Sequence, residues 1–129
     1  MKLHALAAAV LLVSSHASPA AEAVRIDGAW LLSYCEHVEK VDAQQKSNPF
    51  RAGQCLGFIT GTLKGWETAA AVRNMKPNYC IRPGVKLDDI LSAVLKYVRA
   101  DPGRQAAQAE MLVISAVQQA FPCAPGELK

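Results

Sequence analysis

Apolar positions recur at helical intervals through four stretches of the chain, and no stretch shows the strict alternation of a half-buried strand. The first stretch predicts a helix from about Ile26 to Val41, with Ile26, Trp30, Tyr34, Val38 and Val41 in register and Asp27 near its start, where a carboxylate suits the helix dipole. A polar segment from Gln44 to Pro49 ends in Asn-Pro, a turn signal. The second helix is predicted from about Phe50 to Arg73 and stops at Asn74, Lys76, Pro77 and Asn78. The third carries Leu87, Ile90, Leu91, Val94, Leu95 and Val98 on one stripe, with Asp88 and Asp89 in its first turn. Asp101-Pro102 then reads as a cap followed by a first helical position, so the fourth helix is predicted to run from there to Phe121, with Pro122 closing it. The fold class is therefore all-α: a compact four-helix bundle whose short connections imply antiparallel neighbours.

The N-terminus departs from this pattern. Lys2 precedes an apolar run from Ala5 to Val13, too short to span a bilayer, and Ser18 and Ala20 satisfy a small-x-small cleavage rule. Residues 1–20 are thus expected to be a secretory signal cut after Ala20. Residues 21–129 would form one helical domain with a core over about 26–123. No later stretch is apolar and long enough for a membrane span.

Losing the signal alters the charge balance. The full sequence has 14 basic and 11 acidic residues. Only Lys2 leaves with the signal, and the near balance that remains argues against a nucleic-acid partner, which calls for a clustered basic face. His4 and His16 leave too, so His37 is the single histidine of the mature chain.

All four cysteines, Cys35, Cys55, Cys80 and Cys123, lie in the mature part. In a small exported domain they read as two disulfides, with three possible connectivities. Antiparallel packing of the first two helices would bring Cys35 and Cys55 level across the intervening turn. A helix from Cys55 to Arg73 would instead carry the chain about 27 Å away before it could return to Cys80. The favoured set is Cys35–Cys55 with Cys80–Cys123, followed by Cys35–Cys80 with Cys55–Cys123. Loop entropy assigns the favoured bridges roughly 3 and 4 kcal/mol. No CxxC is present and one histidine cannot complete a usual zinc set, so neither a metal nor another cofactor is expected.

Gly53, Gly57, Gly61 and Gly65 recur every fourth residue within the second predicted helix, with Ala69 extending the row. Each costs about 1 kcal/mol relative to alanine. The expected compensation is close helix packing, either in the core or at a seam between two copies of the chain in a homodimer. Gln54, Lys64 and Glu67 argue against a membrane dimerisation motif.

Catalytic material is scarce. A nucleophile–histidine site would need His37, which reads as a solvated residue between Glu36 and Val38. The adjacent Asp88 and Asp89 point about 100° apart on a helix and suit its N-terminus better than acid–base work. Enzymatic function is the least supported class.

Four pieces in order now become recognisable: Cys55-Leu56-Gly57-Phe58-Ile59-Thr60-Gly61, Tyr79-Cys80-Ile81-Arg82-Pro83-Gly84-Val85, Lys96-Tyr97-Val98 and Ala120-Phe121-Pro122-Cys123. Together, over about residues 28–123, they resemble the Rap/Tai immunity family, small periplasmic proteins that protect bacteria against type VI secretion effectors, notably peptidoglycan amidases. Arg82 stands where members commonly carry proline, and Lys86 where a hydroxyl residue often caps the third helix. The resemblance implies a disulfide-stapled helical bundle, often dimeric, whose exposed loops occupy an effector's substrate cleft. Aromatic or arginine anchors would supply affinity, and Phe50, Arg51, Tyr79 and Arg82 are the candidates in the two loops 44–51 and 74–86. The competing roles are a staple of the second helix for Phe50 and cover for a disulfide for Tyr79. Beside an effector-binding inhibitor stand two alternatives: a periplasmic stress chaperone that exposes apolar surface at low pH, and a non-catalytic envelope accessory protein.

Overall fold

The computed structural model describes residues 25–127. The expected signal segment and its cut after Ala20 lie outside these residues. Within them the chain folds into four α-helices: α1 (Gly28–Asp42), α2 (Pro49–Val72), α3 (Leu87–Arg99) and α4 (Ala109–Ala120). The all-α class stands, with helix limits close to those the apolar spacing predicts.

Local chemistry explains the starts. Asp27 is the N-cap of α1, its Oδ1 accepting from the Trp30 N–H at 3.0 Å. The Asn-Pro pair read as a turn is the opening of α2: Asn48 Oδ1 accepts from the N–H groups of Phe50 and Arg51, and Pro49 takes the first turn, where its missing donor is harmless. Asp89 reaches back to the Lys86 N–H at 2.8 Å, so one of the two acidic residues at the head of α3 secures that end directly.

The fourth helix corrects the expectation. It does not run unbroken from Pro102; a 3-10 turn over Pro102–Ala106 precedes α4. Asp101 does cap this turn, accepting from the Gly103 N–H at 2.8 Å. The backbone then becomes extended because residues 107–109 pair with the strand-like entry to α1. Gly28 N–H donates to Ala107 O, and Ala109 N–H donates to Ile26 O. Gly28 permits this approach: a Cβ there would collide with the Arg104 carbonyl oxygen and lie 2.9 Å from Leu112 Cδ1.

α1 packs chiefly against α2, and α3 chiefly against α4. The core joins Leu31, Cys35 and Val38 of α1 to Cys55, Ile59 and Leu63 of α2, with the stripes of α3 and α4 filling the other side. The favoured disulfides are the ones formed. Cys35–Cys55 is wholly buried between α1 and α2, and Cys80–Cys123 ties the α2–α3 loop to the chain after α4. Beside the second bridge, Cys80 N–H donates to Phe121 O at 2.9 Å.

The glycine row is where packing differs most from expectation. Gly53, Gly57, Gly61 and Gly65 are exposed, and a Cβ added to any of them would meet nothing within 4 Å. The core side of α2 is set by Cys55, Ile59 and Leu63. The glycines fall two residues out of step with that stripe, about 200° around the helix. They therefore face away from the bundle, and no close packing among the described residues compensates them.

Candidate functional site

The residues proposed as binding anchors fall at two separate places. Phe50 opens α2 and is 72% exposed, so it does not act as a staple. Its neighbour Arg51 lies over the Tyr34 ring at 5.0 Å, at the edge of a cluster in which Trp30 stacks on Tyr34 and meets Phe58. The α1–α2 turn below them is held by His37, whose Nδ1 accepts from the Asn48 N–H at 3.1 Å. His37 is therefore mostly covered and structural, correcting its reading as a solvated residue.

Tyr79 and Arg82 belong to the other end of α2. Tyr79 is only 3% exposed, and its hydroxyl donates toward Leu63 O at 3.4 Å and Glu67 Oε1 at 3.5 Å. Burial pushes the phenol up to about 12, with the Glu67 charge and hydrogen bond adding to the effect. Tyr79 thus presents no surface to a partner; it braces the second half of α2 from the inside. Arg82 is exposed and pairs with Glu127 at 3.4 Å. Phe50 lies about 25 Å along the helix from Glu67, the side chain that Tyr79 touches. The four candidates therefore do not form one patch.

Among the described residues no nucleophile, base and orienting group converge. Cys80, Cys123 and Glu127 do bring potential ligand atoms within 4.8 Å of one another, but the two sulfurs are bonded to each other. No described helix is long and apolar enough to cross a membrane. What the geometry offers is surface: an exposed aromatic at the hairpin end and a concavity beside the C-terminal end of α2. That concavity is lined by Trp66, Ala69, Ala70 and Met75, with Arg73, Lys76 and Asn78 around them. Sequence reasoning missed it. The available signal was that Trp66 stands in register with Cys55, Ile59 and Leu63 but past the last buried member of that stripe, where no core is left for its bulk to fill.

A family model described as Rap1a immunity proteins matches residues 27–123. The chain belongs to this family. No curated protein and no solved structure matches the chain. The match begins at the α1 cap, Asp27, and ends at Cys123, the second half of the later disulfide. It spans all four helices and both staples, so the family assignment covers the whole core. Arg82 and Lys86, the two positions singled out by the resemblance, fall on the α2–α3 loop, not on the packed faces.

Proposed function

We propose that this chain is an exported, non-catalytic immunity protein whose mature domain, residues 21–129, binds and inhibits a type VI secretion effector of the peptidoglycan amidase kind in the periplasm. Membership of the Rap1a immunity proteins over residues 27–123 carries the proposal. Export is supported by the signal-like N-terminus and by two disulfides, which persist in oxidising compartments. Action by binding is supported by the exposed Phe50 beside Arg51, an aromatic–arginine pair of the kind that dominates protein interfaces. Phe50 and Arg51 then serve as anchors at the hairpin end, and Arg82 contributes from the α2–α3 loop.

The test takes an amidase-like toxin from the genes flanking this one and pairs it with this chain; the lack of any such toxin there would itself count against the proposal. Periplasmic expression of that toxin alone should lyse cells, co-expression should restore growth, and the purified proteins should form a stoichiometric complex. Lysis that the chain fails to relieve, with no complex at micromolar concentrations, would refute the proposal.

A further inference from the structure

The concavity beside the C-terminal end of α2 is built from one face of the helix and the chain that turns back beneath it. Trp66, Ala69 and Ala70 form its helical wall, and Met75 lies across from them. Its volume is about 200 Å³; for scale, an apolar cavity of about 150 Å³ accommodates a benzene ring. One large apolar side chain therefore fits. Trp66 is 41% exposed and Met75 is 61% exposed. These two large apolar groups line one concavity, and the described residues leave both open to an occupant.

Arg73 and Lys76 are the ionisable residues of the lining, and Lys76 is already engaged, its Nζ donating to Glu127 O at 3.2 Å. Arg73 has no carboxylate partner among the described residues. The nearby acids are committed elsewhere: Glu67 bonds Lys64 at 2.8 Å and the Tyr79 hydroxyl, while Glu127 pairs with Arg82. Asn78 is also engaged, its Oδ1 accepting from Gln118 at 2.6 Å. An occupant that suits the site brings an apolar side chain for the concavity and a carboxylate for Arg73.

We infer that this concavity is a second docking site, which takes an acidic segment of the protein partner and buries one large apolar side chain of that segment between Trp66 and Met75 while Arg73 meets a flanking carboxylate. The inference rests on the partner-binding reading above and extends it to the opposite end of α2. The wall is pre-formed because Tyr79 braces this half of the helix from within. Met75 is adaptable in shape, which suits a pocket that closes around its guest.

The experiment titrates the isotope-labelled, disulfide-intact protein with two capped pentapeptides. One carries leucine between acidic residues and the other carries leucine between lysines. The readouts are the Trp66 indole N–H, assigned through Trp66→Phe, and the Met75 methyl group. The acidic peptide should shift both signals saturably, and the basic peptide should leave them unmoved. Arg73→Glu should weaken the acidic peptide at least about fivefold, and Ala69→Trp, which fills the concavity, should abolish its binding. Equal responses to both peptides, no response at millimolar peptide, or unchanged affinity in Arg73→Glu would overturn the site. A Trp66 shift that follows protein concentration and resists the peptide would also overturn it, in favour of a second copy of the chain. Binding of the acidic peptide with no effector bound would support the site and sink the inhibitor reading alone. An effector that binds wild type and Arg73→Glu equally would overturn the site and leave inhibition standing.

Discussion

Replacing Gly61 by alanine should stabilise the chain. Gly61 sits in the middle of the 24-residue helix α2. A Cβ at this position meets nothing within 4 Å. The substitution therefore removes the helix penalty of glycine, about 1 kcal/mol, without a steric cost. For a domain of this size that corresponds to a rise in Tm of roughly 4 °C or more. Gly28→Ala supplies the opposite case. Its Cβ would collide with the Arg104 carbonyl and press on Leu112, and overpacking of this kind costs about 1–3 kcal/mol. Urea and thermal unfolding of both variants, with disulfides intact and size exclusion run over a range of concentrations, would measure the pair. A loss of stability in Gly61→Ala of 1 kcal/mol or more would refute the reasoning, because something would then have to pack on the glycine row in solution. A neutral Gly28→Ala would refute the close approach between the α1 entry and the turn before α4.

Three further outcomes follow from named contacts. Arg99 grips Glu39 with two hydrogen bonds, at 2.9 and 2.7 Å, linking α3 to α1 across a half-exposed surface. This bond holds the Glu39 carboxyl below its ordinary value, so its contribution is present above about pH 4.5 and fades as pH falls through the lowered value. Glu39→Gln should cost up to about 1 kcal/mol at pH 7, and denaturant melts should show the deficit shrinking toward pH 3. Tyr79 behaves in the opposite sense: its phenol is raised from 10.0 to about 12, so the unfolded chain ionises first. Stability should therefore decline as pH rises from 10 to 12, and Tyr79→Phe should remove that decline in unfolding curves. Serine at both Cys35 and Cys55 opens a loop closed over a separation of 20 residues and should lower stability by about 3 kcal/mol or more, read from the urea midpoint.

The helices were legible because each buries an apolar stripe against a neighbour, and periodicity reports that directly. The disulfide pairing was legible for a related reason: a rigid helix limits where Cys55 can reach. The break before α4 was not legible, since it depends on backbone pairing between Ile26 and Ala109, which are far apart in sequence and leave no local mark. The glycine row misled because small residues at regular spacing describe a smooth face without saying which way it points. The two-residue offset from Cys55, Ile59 and Leu63 held that information, but only once those three were known to be the buried set. Among the binding candidates, exposure separated Phe50 from Tyr79. Both are aromatic residues near polar turns, and only the position of the loop against Leu63 and Glu67 decides that one ring points inward.

The uneven packing of α2 connects these features. Its buried residues, Ala52, Cys55, Ile59 and Leu63, all lie in the first two-thirds of the helix. The Cys35–Cys55 bridge fixes that part to α1, whereas the remainder relies on Tyr79 and the loop held by Cys80–Cys123. A helix of 24 residues is about 36 Å long, longer than this small core can cover. The surplus at the C-terminal end presents the Trp66–Met75 concavity, Phe50 is exposed at the other end, and a smooth, side-chain-poor face lies between them. The two disulfides brace opposite ends of this element. The helix can therefore expose apolar groups at both ends while its fixed part keeps their separation constant, as the two proposed docking points would require.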